Sequence, residues 1–151
     1  VKGKGLFHGS RVLNPRGGTE SIALKILEAL ALDPDRDMRR ERLSLSAFVG
    51  AIKDNKIGPF FWIGGLPTGG ILDLASSPGF QINLLAHDGL LEKINKKYGP
   101  RYHRYVIPKE TYPGMAHPQS VIATGNLLLC REEMEEEISY QIVKAIFEHR
   151  E

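Results

Sequence analysis

Two glycine turns carry the residue types best suited to chemistry in this sequence. The first, Asn14-Pro15-Arg16-Gly17-Gly18-Thr19, stands directly before a segment with helical periodicity. Glycines let a backbone approach a ligand closely, and the unpaired N–H groups at a helix start favour a carboxylate or phosphate. Thr19 adds a hydroxyl donor. The same residues also satisfy a plain tight turn with a threonine cap, which needs no ligand. The second turn, Gly64-Gly65-Leu66-Pro67-Thr68-Gly69-Gly70, follows the aromatic run Phe60-Phe61-Trp62-Ile63. Trp62 offers a flat apolar wall with one N–H donor, and Thr68 is placed to cap a further helix. Such an aromatic run also fills a core, on at least one of its alternating faces.

Neither turn has the form of a common nucleotide loop. A Walker loop needs a lysine after its last glycine, whereas Thr19 and Glu20 follow here, and the G-x-G-x-x-G spacing is absent around the first turn. The five histidines, at 8, 87, 103, 117 and 149, show no metal-ligand spacing, no G-x-S-x-G elbow occurs, and Cys130 has no histidine near it in sequence. Catalytic residues, metal ligands and a cofactor are therefore not expected. Glu132, Glu133, Glu135, Glu136 and Glu137 crowd the start of a helical pattern, where the helix dipole favours carboxylates without any bound ion. Arg36, Arg39, Arg40 and Arg42 interleave with Asp33, Asp35, Asp37 and Glu41, so they read as a solvated face and not as a nucleic-acid footprint.

The elements that must position these residues follow from periodicity. Arg11 to Leu13 is strand-like, and Thr19 to Leu32 is a helix with Ile22, Ile26, Leu27 and Leu30 on one face and a stop at Asp33-Pro34. Ser44 or Ser46 caps a short helix carrying Phe48, Val49 and Ile52, ending near Asn55. Strands are expected at 60–63 and 80–85, with helices through Leu72 to Ser76 and Gly89 to Tyr98. The stretch from Gly99 to Gly114, with three prolines, reads as a crossover segment. Short strands at Ser120 to Thr124 and Asn126 to Cys130 then lead to a last helix from about Glu132, with Met134, Ile138, Ile142 and Ile146 spaced by four. Alternating strands and helices give an α/β class with a mainly parallel sheet flanked by helices, and ligands at the carboxyl ends of its strands, where both glycine turns would meet. Cys130, inside an apolar run, is expected to be a buried small hydrophobe.

Bulk properties set the bounds. In 151 residues, 42% hydrophobic and 25% charged composition matches a packed globular domain or one lobe of a two-lobed protein. One cysteine allows no intrachain disulfide, and a formal charge of +2 gives no sign of a polyanionic partner. No apolar stretch approaches the roughly 20 residues that span a bilayer, and residues 1–20 lack signal-peptide features.

Gly17-Gly18-Thr19 opening a helix, Leu43-Ser44-Leu45-Ser46, the block from Phe60 to Thr68, Thr111-Tyr112-Pro113-Gly114, and Asn126-Leu127-Leu128-Leu129 before the last helix follow one another in a familiar order. In these motifs the chain resembles the TAXI family of TRAP transporter substrate-binding subunits. The resemblance covers nearly the whole chain, and the aromatic-Gly-Gly-Leu-Pro-Thr block is its most specific part. It implies a type II periplasmic-binding-protein-like lobe, periplasmic or membrane-tethered outside the cytoplasm. Such a protein captures a small organic anion, such as an amino acid or organic acid, for membrane permease subunits. By that resemblance Gly17, Gly18 and Thr19 hold a carboxylate, Trp62 and Thr68 line the cleft, and Tyr112 sits near the hinge. Residues 1–100 would form the second α/β lobe, and 101–151 the crossover segment with part of the returning first lobe. Family members are longer at both ends; Arg16 replaces a usual small residue, and Pro59 stands where family strands have none. Half the cleft is then expected to be missing, with self-association through the region from Gly99 to Cys130. A ligand-sensing domain of a regulator or signalling receptor is the alternative on the same fold, whereas an enzyme would need a reactive constellation the sequence does not contain.

Overall fold

A computed structural model describes residues 11–13, 18–37, 39–41 and 43–149, with 11–13 and 39 described in backbone only. Strand β1 (Arg11–Leu13) precedes helix α1 (Gly18–Ala29), whose Thr19, Ala23, Ile26 and Leu27 are buried at the spacing of one helical face. The helix stops before Asp33-Pro34. Ala31 takes a left-handed φ of 56°, Leu32 N donates to Leu27 O at 2.9 Å and Ala31 N to Glu28 O at 2.9 Å. Together with Leu32 packed on Leu27, this is a Schellman cap built on alanine. Lys93 from a later helix donates to the carbonyl of Ala29 at 2.6 Å, satisfying another of the last free acceptors.

Strand β2 (Arg39–Glu41) pairs in parallel with β1, Val12 opposite Arg40. Between α1 and β2 the interleaved charges compensate one another: Arg40 reaches Asp35 at 2.8 Å and Arg36 reaches Asp37 at 3.2 Å. Helix α2 (Leu45–Lys53) starts at Ser44, whose hydroxyl accepts from Ala47 N at 3.3 Å, and buries Phe48 and Val49. It too ends in a Schellman pattern, with Asn55 at a φ of 54° and Lys56 N donating to Ala51 O at 2.8 Å. Helix α3 (Gly69–Ser76) packs against α2 so closely that a Cβ on Gly70 would stand 2.7 Å from Leu45 Cδ2.

After a 3₁₀ turn at Asp88–Leu90, helix α4 (Leu91–Tyr98) runs to Gly99, which ends it at a φ of 87°. Strands β3 (Tyr102–Ile107) and β4 (Gln119–Thr124) form an antiparallel pair, Tyr102 opposite Thr124 and Ile107 opposite Gln119. The Asn95 side chain extends this register into α4, donating to Tyr102 O at 2.9 Å and accepting from Tyr102 N at 3.2 Å. Helix α5 (Glu136–Glu148) follows, with no buried residue.

The structure is mixed α/β, but its pairing differs from the expected mainly parallel sheet. Among the described residues the ladders are β1–β2 and β3–β4, and 60–63 and 80–85 run without a ladder apart from an isolated bridge at Phe60. These segments still alternate like strands. Phe60 and Trp62 pack with α2 and α3, in the cluster of Ile71, Ala75, Ile107, Tyr112 and Met115. Phe61 packs on the other side, with Ile26 of α1 and Ile94 of α4. Val121 and Ile122 divide between the same two clusters. The extended chain is thus sandwiched between α1 with α4 and α2 with α3.

The stretch read as a crossover segment contains a strand, β3, between Pro100 and Pro108. Two further expectations are corrected. Residues 126–130 form no strand; Leu127 is 84% exposed and Cys130 is exposed, because nothing described covers this stretch. The last helix starts at Glu136, and Glu132 and Glu133 lie in a turn before it.

On the surface, Glu28 of α1 bonds both Lys97 and Tyr98 of α4. The Lys97 hydrogen bond, then that of Tyr98, holds the Glu28 carboxyl below its usual range, and Glu28 in turn raises Lys97. Beside them Lys25 donates to Tyr102 Oη at 2.7 Å and stands 4.9 Å from the centre of the Tyr98 ring.

Candidate functional site

A cavity of about 680 Å³ opens between α1, the extended 60–64 and 81–85 segments, β4 and the Tyr112 loop. Four of the six residues singled out from the sequence line it: Thr19, Trp62, Thr68 and Tyr112. Gly18 opens α1 but is not part of this wall, and Gly17 lies outside the described residues. Thr19 and the second glycine turn therefore share one cavity, which lies between packed layers and not at the rim of one sheet.

Hydrogen bonds fix the wall around the second turn. Trp62 Nε1 donates to Thr68 Oγ1 at 3.2 Å, and that hydroxyl donates to Gly65 O at 2.6 Å. The Thr68 side chain consequently does not cap α3, contrary to expectation, because its hydroxyl closes the preceding turn instead. The backbone N–H of Thr68 donates to Tyr112 Oη at 2.9 Å, tying the turn to a loop 44 residues away. Tyr112 is thus a core residue beneath the turn, 1% exposed. The bond to Thr68 uses Tyr112 Oη as an acceptor, and its own hydrogen has no acceptor among the described residues. Thr19, 8% exposed at the start of α1, likewise has no hydrogen-bond partner among them. Two buried hydroxyls with spare donor capacity on one cavity are what a polar ligand atom would satisfy.

Gly64 makes the Trp62 arrangement possible. A Cβ there would lie 2.6 Å from Trp62 Nε1 and 3.1 Å from Thr68 Oγ1, so the indole edge rests directly on the glycine backbone. On the opposite wall His87 Nε2 accepts from Ile122 N at 3.2 Å, which assigns the proton to Nδ1, donating to Leu85 O at 2.9 Å. With its amide turned so that nitrogen faces Leu84, Gln119 bridges Leu84 O at 3.2 Å and Ala86 N at 3.0 Å. These two side chains hold the 84–87 segment against β4 where no ladder does. Sequence reasoning missed His87 because it stands alone, with no spacing to mark it. It also missed Asn83 and Gln81, polar residues of the cavity wall within an apparent strand. Among the described residues no group of three or more His, Cys, Asp or Glu side chains is arranged to hold a metal ion.

An open cavity with neutral polar groups in a layered α/β frame has the form of a small-molecule site. The NMT1-like family matches residues 7–151, and the chain belongs to that family, one of periplasmic-binding-like proteins. Membership supports a solute-binding function, a small-molecule ligand and an extracytoplasmic setting. No helix among the described residues is long and apolar enough to cross a membrane.

Proposed function

We propose that this chain belongs to the solute-binding subunit of a TRAP-type transporter of the TAXI kind, and that it binds without turning over its ligand. In this reading it captures a small organic anion, such as an amino acid or organic acid, outside the cytoplasm and presents it to membrane permease subunits. The supporting observation is that buried Thr19, at the start of α1, shares one cavity with Trp62, Thr68 and Tyr112. A carboxylate at Thr19 would gain the helix-start N–H groups, the dipole and the hydroxyl. Residues 1–100 act as the second lobe of a two-lobed receptor, and 101–151 as the crossover with a returning part of the first lobe. The uncovered state of α5 and of residues 126–130 supports that division.

Calorimetric titration of carboxylates against neutral sugars, with Thr19→Ala alongside, tests the reading. Charge-assisted hydrogen bonds contribute roughly 1.5 to 3 kcal/mol each, so loss of the Thr19 hydroxyl should weaken a carboxylate by about tenfold or more. Tight sugar binding with every carboxylate silent would refute the anion site, as would an unchanged affinity in Thr19→Ala.

A further inference from the structure

The cavity wall carries a restriction that the anion reading alone does not. Its described side chains include no aspartate, glutamate, lysine or arginine. Most of its polar groups nearest the aromatic turn are already committed: Trp62 Nε1 to Thr68, the Thr68 hydroxyl to Gly65, and both ring nitrogens of His87 to backbone groups. Among the buried described residues of the wall, spare donor capacity is confined to the Thr19 hydroxyl beside the α1 start and the Tyr112 hydroxyl. Exposed Gln81, Asn83, Tyr105, Thr124 and Asn126 add neutral polar groups to the wall, and its less exposed part is largely apolar, with Ile22, Ile26, Phe61, Leu84, Val121 and Ile122 among its residues.

Resting on the receptor reading above, we infer that the solute is an apolar carboxylic acid with a single charge, and not a dicarboxylate or a zwitterionic amino acid. One carboxylate fits the Thr19 end, where helix-start N–H groups and a hydroxyl replace water. On the described wall a second carboxylate would meet no cation and an α-ammonium no carboxylate, and a charge taken out of water without a partner is strongly unfavourable. An apolar body instead removes its surface from water against the aliphatic and aromatic wall. The Tyr112 hydroxyl can serve one further neutral acceptor, such as an ether or carbonyl oxygen. A volume of about 680 Å³ leaves room for a body larger than that of an acidic amino acid.

Trp62 supplies the readout, because it is the one tryptophan of the chain and lies in the wall. Its fluorescence, backed by calorimetry, would be followed on the full chain with cyclohexylacetate, the neutral cyclohexylacetamide, glutarate and glutamate. The expected result is that cyclohexylacetate binds at least about tenfold more tightly than each of the other three, a gap of roughly 1.4 kcal/mol. Thr19→Val should remove most of its advantage over the amide. If glutarate or glutamate equals or exceeds cyclohexylacetate, the apolar single-charge assignment is overturned while the anion site stands. Equal binding of the amide and the acid overturns the anion site itself. If the chain is folded by circular dichroism and binds none of the four, both are overturned. Should Thr19→Val fail to fold, the ranking of the four probes on the unsubstituted chain still decides.

Discussion

Gly64 and Gly65 are adjacent, yet the structure asks different things of them. A methyl group on Gly64 would drive into Trp62 Nε1 at 2.6 Å, whereas one on Gly65 meets nothing within 4 Å. Gly64→Ala should therefore break the Trp62–Thr68 hydrogen bond, lower stability by about 1 to 3 kcal/mol and shift tryptophan emission. Gly65→Ala should change neither by a measurable amount, and chemical denaturation followed by fluorescence checks both. Tyr112 makes a second test at this scale. Replacing it with phenylalanine strips Thr68 N–H of its buried acceptor, which should cost about 1 to 3 kcal/mol in the same assay while the ring keeps its packing. A result near zero would show that water reaches Thr68 N–H.

Helix ends carry the predictions that belong to elements. Ala31 holds a left-handed backbone, with φ of 56°, to close the cap of α1. Glycine there would relieve the Cβ clash, so Ala31→Gly should raise stability by up to about 1 kcal/mol, the reverse of its usual effect inside a helix. The contact of α1 with α4 has a pH signature. Glu28 is depressed when folded, so its contribution is present above the ordinary carboxylate range and lost as pH falls through the folded value. Lys97 is raised, so its contribution is present below the ordinary lysine range and lost as pH rises through the folded value. Both groups are exposed and screened, so Glu28→Gln should flatten the acid limb of a stability–pH curve only slightly, and less in high salt. The same local rules explain what could be read from the sequence. Helices α1, α2 and α4 announce themselves through periodicity and through caps such as Ser44, which depend on residues within a turn or two. Strand β3 does not, because His103 and Arg104 interrupt its apolar pattern and its register is set by β4, whose partners lie 12 to 22 positions further along the chain. The turn of Trp62 and Thr68 was legible as a motif, but its bond to Tyr112 is made by tertiary packing across 44 residues and leaves no local trace. Residues 126–130 look like a buried strand because composition records that leucines need cover, not whether a cover is present.

At the scale of the molecule, the packed layers and the carboxyl-terminal part behave as separate regions. Helix α5 buries none of its residues, and Ile138, Ile146 and Phe147 remain exposed on it. Amides of α5 should accordingly exchange with solvent much faster than those of α1 or α4 in a hydrogen-exchange experiment. Its apolar stripe and the 127–129 leucines should also make the chain associate at high concentration, and Leu127→Glu with Leu129→Glu should return it to a monomer by light scattering. Those leucines have a further consequence for the life of the chain before any partner covers them. A run of three exposed leucines is the kind of segment that seeds irreversible aggregates, and Arg131, Glu132, Glu133, Glu135, Glu136 and Glu137 stand immediately after it. Flanking charges of this kind act as gatekeepers, raising the electrostatic cost of stacking one such segment on another. The glutamates at the head of the last helix thus set negative charge beside the chain's own adhesive stretch. Replacing them with glutamine should leave the layered core folded while shortening the time the protein stays in solution.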